Sequence, residues 1–219
     1  MKIGIFGDSY AANRIENDTK SWVDIIAEKY EVTNYASAGT SLFYSMSIFE
    51  QYQHRFDKVI FVVTSPGRLL LDNANNRSLS IAGLRDCETK IENTSNPFEL
   101  KILHAVRDYY IYVQNYNFNK YVHRLMIEKI KRIRPDTVLI PASLEKFDDI
   151  FSGASMCDIE LKENNAWGIG GIIDYRHCHM TAENNAIFAT KVEEWLNGKP
   201  VQINLDDFVT PMNREFYLK

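Results

Sequence analysis

The segment Lys58–Val63, with the sequence KVIFVV, constrains the fold more than any other part of this 219-residue chain. It is continuously apolar and rich in β-branched residues, whereas a strand with one face in water alternates apolar and polar residues. A run of this kind is typical of a parallel strand that helices cover on both faces. The sequence therefore predicts an α/β protein built around a buried parallel sheet.

Segments with strand and helix patterns alternate along the rest of the chain. Shorter apolar runs predict further strands over residues 2–6, 32–36 and 137–140. Helical spacing of apolar residues predicts helices between the strands, and Thr181 is a candidate N-cap for the last helix. The polar stretch over about residues 69–96 is interpreted as a long loop or insertion. This alternation favours a three-layer α/β/α sandwich with a mostly parallel sheet.

One domain accounts for the length of the chain, since domains most often have about 100–150 residues and many are larger. We expect it to span residues 1–198 and to be followed by a C-terminal arm over residues 199–219. No stretch approaches the ~20 apolar residues of a membrane span. The N-terminal apolar stretch is also too short for a signal-peptide core. We therefore expect a cytoplasmic protein with no membrane partner.

The charge of the chain argues against a nucleic-acid partner. The net charge is −4, so the protein has no general basic field to attract a polyanion. A short basic run is interpreted as the solvated last turn of a helix, where cations suit the helix dipole. The run consists of Lys129, Lys131, Arg132 and Arg134.

The first predicted strand ends in Gly7-Asp8-Ser9, which puts a hydroxyl at the carboxyl edge of the sheet. Ligands of parallel α/β sheets bind at this edge. A serine after a strand is more often a turn or cap residue than a nucleophile. Catalysis by Ser9 would need a base to take its proton and an acid to orient that base.

The segment before the last predicted helix contains both kinds of group. Asp174, His177 and His179 lie there, and the two histidines are among only five in the chain. A His-x-His pair also occurs in metal sites, but no further cluster of His, Asp or Glu completes a ligand set, so we expect no metal. The segment therefore predicts an acid and a base at the same edge of the sheet as Ser9.

Together these motifs resemble the SGNH hydrolases, also called GDSL-like esterases and lipases. Gly7-Asp8-Ser9 resembles the first motif of the family, and Gly39 resembles the glycine that follows the second strand. The resemblance covers roughly residues 1–197 and implies the flavodoxin-like fold of that family. It implies that Ser9 is the nucleophile, that Asp174 orients the base, and that the backbone N–H of Gly39 donates to the oxyanion.

The resemblance leaves two candidates for the base. His177 stands three residues after Asp174, as in the Asp-x-x-His of the family. His179 is instead followed by Met180-Thr181 and the last helix, as the catalytic histidine of the family usually is. The second alignment favours His179, just before the start of that helix.

The third motif departs from the family pattern. The family usually has Gly-x-Asn-Asp after the third strand, and the Asn donates to the oxyanion. Here the strand runs into Thr64-Ser65-Pro66-Gly67-Arg68, which contains no Asn. The donor could be the Thr64 hydroxyl, the Arg68 guanidinium or Asn73 in the following segment. Loss of such a donor typically lowers turnover by ~10²–10³.

The resemblance implies a serine esterase that hydrolyses small carboxylic esters, including O-acetyl groups on sugars, without a cofactor. The expected partner is a small-molecule or glycan ester, and the sequence leaves the oligomeric state open. One alternative is an acyltransferase that uses the same triad. The other is a non-catalytic binding or structural protein that kept the fold, which the missing Asn favours and the presence of Ser9, Asp174 and His179 opposes.

Overall fold

The computed structural model describes residues 1–12, 20–72, 78–81, 83–142, 153–159, 180–199 and 202–209. Its strands are β1 (Lys2–Phe6), β2 (Glu31–Asn34), β3 (Lys58–Val63), β4 (Leu69–Asp72), β5 (Ser78–Ile81) and β6 (Val138–Pro141). Its α-helices are α1 (Trp22–Ala27), α2 (Leu42–Tyr52), α3 (Leu84–Asn93), α4 (Pro97–Asp108), α5 (Tyr116–Ile133) and α6 (Ala182–Leu196).

Four of these strands form a sheet in the order β2-β1-β3-β6, and every pair in it is parallel. The chain moves outward from β1 in one direction to β2 and in the other to β3 and β6, which is the flavodoxin-like order. In such a sheet, ligands bind beyond the carboxyl ends of β1 and β3, where the order reverses. The α/β fold class and the parallel sheet expected from the sequence are confirmed.

Helices cover both faces of the sheet. Ile60 and Val62 of β3 belong to the core that includes residues of α1 and α6, whereas Phe61 and Val63 belong to the core that includes residues of α2 and α5. Because successive side chains of a strand point to opposite faces, both faces of β3 must be apolar. This arrangement explains the uninterrupted apolar run KVIFVV, and it confirms the three-layer sandwich.

The expectation of a long loop over about residues 69–96 is wrong. β4 and β5 form an antiparallel hairpin, and α3 follows directly. In α3 the only buried side chain is that of Cys87, which packs with Leu103 of α4 in a small separate core. A helix that buries so little of its surface needs few apolar residues, so its sequence looks like that of a polar loop.

The described part of the C-terminal arm, residues 202–209, packs against the domain. Ile203 and Phe208 are buried in the core on the α1 and α6 side of the sheet. The side chain of Asn184 in α6 accepts a hydrogen bond from the backbone N–H of Val209 and donates one to its carbonyl, both at 2.9 Å. These contacts fix the arm along α6.

The basic run at the end of α5 is confirmed as a helix terminus. Arg134 binds backbone carbonyls of the segment before β3, since its Nη1 donates to the carbonyl of Gln53 at 2.6 Å and to that of Phe56 at 3.0 Å. Lys129 forms an ion pair with Glu50 of α2. In the described parts of the chain, no helix is long and apolar enough to cross a membrane.

Candidate active site

Ser9 lies in a tight turn that directly follows β1, here called the serine turn (residues 7–12). The turn starts at Gly7, whose φ of 145° is rarely adopted by residues that carry a side chain. The carbonyl of Asp8 then accepts hydrogen bonds from the backbone N–H groups of Ala11 and Ala12, each at 3.0 Å. The turn thus holds Ser9 at the carboxyl edge of the sheet, with 6% of its surface exposed.

The loop that carries Gly39 is fastened to the serine turn through the carbonyl of Gly7. This carbonyl accepts a hydrogen bond from the backbone N–H of Ser37 at 3.2 Å and one from the hydroxyl of Thr40 at 3.1 Å. Gly39 lies between these two residues with a φ of 80°, in the left-handed region that favours glycine. The first two motifs are therefore neighbours in space.

The loop after β3 reaches the serine turn through an ion pair. Nη1 of Arg68 lies 3.2 Å from Oδ2 of Asp8, whose side chain is only 1% exposed. Nε of Arg68 is buried and has no acceptor within hydrogen-bond distance in the described residues. Thr64 is buried at the end of β3, and Asn73 lies outside the described residues. Arg68 is therefore a described candidate donor whose side chain is held beside the serine turn.

Asp174, His177 and His179 lie outside the described residues, so their part in the site stays a prediction. Met180, which directly follows His179, is fully buried. Its carbonyl accepts a hydrogen bond from Nδ2 of Asn185 at 3.0 Å. The residue that directly follows His179 is therefore held in the core.

The side chains of Trp22 and Asn185 connect Met180 to the serine turn. Oδ1 of Asn185 accepts a hydrogen bond from the backbone N–H of Trp22 at 2.8 Å, and the indole N–H of Trp22 donates to the carbonyl of Tyr10 at 2.8 Å. This Trp22–Asn185 bridge joins the residue after Ser9 to the residue after His179. In the sequence, Trp22 reads only as an apolar position of a helix, and Asn185 carries no signal.

A cleft of about 260 Å³ opens beside Arg68, between α2 and α5. Its polar groups include Arg68 and His123. Its walls are mainly apolar and are formed by Leu42, Phe43, Pro66, Leu69, Phe118, Val122 and Met126. The cleft can therefore accept an apolar group next to a charged donor.

His123 is a buried histidine that did not stand out in the sequence. It lies on α5 together with the buried Ile127 and Ile130, and this i, i+4, i+7 spacing is the signal that could have identified it. Burial lowers the pKa of His123 to about 4, although a hydrogen bond to the backbone of Thr64 acts in the opposite direction. The side chain is therefore neutral at pH 7.

The depressed pKa of His123 predicts a loss of stability in acid. Between pH 6.5 and 4 the unfolded chain binds a proton on this histidine that the folded chain does not bind. The free energy of unfolding should therefore fall by about 3 kcal/mol as the pH is lowered through this window. Urea unfolding of the wild type and of His123→Gln at several pH values measures it. Parallel pH profiles for the two proteins would contradict the prediction.

The tyrosines around the start of α5 differ in their burial. Tyr110, in the π-helical turn Tyr109–Val113, is buried and donates from its hydroxyl to the carbonyl of Gly67 at 2.9 Å. Burial raises the pKa of Tyr110 to about 12. Tyr112 is 80% exposed and Tyr121 is 60% exposed. Tyr110 thus fixes the loop that carries Arg68, while the rings of Tyr112 and Tyr121 lie largely in solvent.

The described residues offer no evident metal site. Within them, no group of three or more His, Cys, Asp or Glu side chains is placed to hold an ion. Cys87 is buried, and its thiol donates to the carbonyl of Leu103 at 3.2 Å. Burial raises the pKa of this thiol, so Cys87 is a neutral core residue at pH 7.

The sequence matches no known family model and no curated protein. Solved structures do align with it at 12% identity. A lipase/acylhydrolase from Enterococcus faecalis aligns over 92% of this chain and 99% of its own, with a TM-score of 0.39. An acetyl xylan esterase aligns over 89% and 98% with a TM-score of 0.40. A member of the lipolytic G-D-S-L family from Veillonella parvula aligns over 88% and 96% with a TM-score of 0.35.

Proposed function

We propose that this chain is a serine hydrolase that cleaves small carboxylic esters through an acyl-enzyme on Ser9. The observation that supports the proposal is the joining of three loops at the carboxyl edge of the sheet. The carbonyl of Gly7 binds the loop of Gly39, and the carboxylate of Asp8 binds Arg68. Gly7 and Asp8 directly precede Ser9, so both contacts bind their loops to the serine turn. In the proposal, the Ser9 hydroxyl, the backbone N–H of Gly39 and the Arg68 guanidinium act together there.

In the proposed reaction, Oγ of Ser9 attacks the ester carbonyl while a histidine takes its proton. The C–O bond to the leaving alcohol then breaks, and the histidine returns the proton to that alcohol. Water next attacks the acyl-enzyme with the same histidine as base, which releases the acid and the free serine. Asp174 holds the imidazole and stabilises its charged form.

The carbonyl oxygen becomes negative in each tetrahedral intermediate and needs donors. The backbone N–H groups of Ser9 and Gly39 are two candidates, and the guanidinium of Arg68 is the third. A charged donor in a water-poor site stabilises an oxyanion more strongly than a neutral amide does. Arg68 therefore takes the part that the missing Asn has in the resembled family.

Of the two candidate bases we propose His179. The Trp22–Asn185 bridge holds the carbonyl of Met180, the next residue in the chain, on a hydrogen-bonded path that starts at Tyr10. Consecutive Cα atoms are 3.8 Å apart, so His179 starts close to a fixed point. His177 is two residues farther from that point, which makes a defined distance to Ser9 harder to maintain.

A fluorophosphonate tests the proposal, because it reacts with a serine that a base activates. We expect intact-mass spectrometry to show one adduct on the wild type and none on Ser9→Ala. His179→Ala should also lose the adduct, while His177→Ala keeps it. Circular dichroism of each variant checks that it is folded. A folded wild type that stays unlabelled would favour the alternative of a non-catalytic binding protein.

A further inference from the structure

The cleft between α2 and α5 limits the size and polarity of the ester that can bind beside it. It opens at Arg68, the residue whose guanidinium pairs with Asp8 next to Ser9. An ester whose carbonyl oxygen lies near Arg68 therefore has one of its two sides close to the mouth of the cleft. The walls on both sides are mainly apolar, with Ser41, Ser65 and Asn119 as further polar lining residues. Phe43 of α2 and Phe118 of α5 are 63% and 62% exposed.

The volume of the cleft sets the size of the group that fits. A water molecule takes up about 30 Å³ of liquid, and a methylene group is of similar size. A cleft of about 260 Å³ therefore has room for roughly eight or nine non-hydrogen atoms. An acetyl group would leave most of it empty, whereas a chain of six to eight carbons would fill it.

The exposed rings of Phe43 and Phe118 support an apolar occupant. Large apolar side chains exposed at the rim of a concave site commonly mark ligand-binding or partner-binding surfaces. Val122 and Met126 lie one and two turns further along α5 and continue the apolar lining. A chain entering between the two phenylalanines would thus meet mainly apolar side chains.

From this geometry we infer that the substrate is an ester with a medium-length apolar chain of about six to eight carbons, and that this chain occupies the cleft between α2 and α5. The inference rests on the proposed esterase function and narrows it to a substrate class. The chain belongs either to the acyl group or to the alcohol, and both have the same apolar chemistry. Each methylene that enters the cleft should raise kcat/KM by about fourfold until the cleft is full.

Two ester series test the inference and separate the two sources of the chain. In the first, the acyl group of a p-nitrophenyl ester is lengthened from acetate to dodecanoate. In the second, the alcohol of an acetate ester is lengthened from ethyl to decyl. We expect kcat/KM to rise with length and to pass through a maximum near six to eight carbons in one series. If neither series depends on length, the inference is overturned.

A pair of tryptophan variants ties the length dependence to the cleft. Val122→Trp fills the cleft and should lower kcat/KM for the favoured medium chain at least tenfold more than for acetate. Tyr121→Trp places the same side chain at the adjacent position of α5, which is exposed and does not line the cleft, and should leave the profile unchanged. Equal profiles for the two variants would show that the chain binds elsewhere.

Binding measurements keep the inference testable if the protein proves to have no esterase activity. Fluorophosphonate labelling reports on Ser9 independently of chain length, so its failure counts against the proposed function. Saturation-transfer NMR with octan-1-ol then reports on the cleft alone. Binding to the wild type and Tyr121→Trp but not to Val122→Trp would support the cleft as an apolar-chain site. No binding to the wild type would overturn it.

Discussion

Replacement of Arg68 by methionine is expected to lower kcat for a favoured ester by about 10²–10³, with KM little changed. The reason is that an oxyanion donor acts on charge that develops only in the transition state. Arg68→Lys should have an intermediate effect, because one ammonium group cannot bind Asp8 and the oxyanion with the fork geometry of a guanidinium. Steady-state kinetics on the three proteins measure these effects.

A structural cause for the loss must be separated from a catalytic one. Asp8 is 1% exposed, so Arg68→Met leaves a buried carboxylate without its cation, which costs about 3–5 kcal/mol in comparable sites. The double variant Asp8→Asn with Arg68→Met removes that stranded charge. We expect it to recover much of the thermal stability but none of the lost kcat. A double variant with wild-type kcat would show that Arg68 only holds the loop.

Gly7→Ala is expected to destabilise the protein by on the order of 4 kcal/mol, a large part of the ~5–15 kcal/mol of a typical domain. A Cβ at this position would lie 2.7 Å from Cβ of Val62 and 2.8 Å from its carbonyl oxygen. The backbone would also keep a φ of 145° that strains any residue with a side chain. Strain and overpacking each cost roughly 1–3 kcal/mol.

Two other glycines provide matched controls for Gly7→Ala. Gly198 also has a positive φ, of 79°, but a Cβ there would meet nothing within 4 Å among the described residues. Gly198→Ala therefore reports the strain without the clash. At Gly83 the space is equally open and φ is extended, so Gly83→Ala should be nearly neutral. Urea unfolding should rank the variants Gly7, Gly198, Gly83. An equal loss at Gly7 and Gly198 would contradict the clash.

The sheet could be predicted because its signal is local. KVIFVV is apolar throughout since both faces of β3 are buried, and Thr181 marks the start of α6 because its hydroxyl accepts from the N–H of Asn184. Both signals lie within a few neighbouring residues. The hairpin of β4 and β5 has a weaker signal, because β4 has only three consecutive apolar residues and β5 alternates serine with apolar residues.

The contacts that assemble the candidate site could not be predicted from the sequence, because they join residues that are far apart along the chain. Asp8 and Arg68 are 60 positions apart, and only the order of β1 and β3 in the sheet brings them together. The sequence offered Thr64, Arg68 and Asn73 as equivalent donors. The ion pair distinguishes Arg68 from Thr64 by a tertiary contact, which no spacing along the chain encodes.

The Trp22–Asn185 bridge has a consequence for how the protein is made. The two residues are 163 positions apart, and the path between the serine turn and α6 closes only when both ends are present. During synthesis, β1 and the serine turn leave the ribosome long before α6 does. Contacts so distant in sequence form slowly, after the local helices and the first strands. Ser9 of the nascent chain should therefore not react with a fluorophosphonate until α6 has docked. Reactivity towards this reagent then reports that folding is complete.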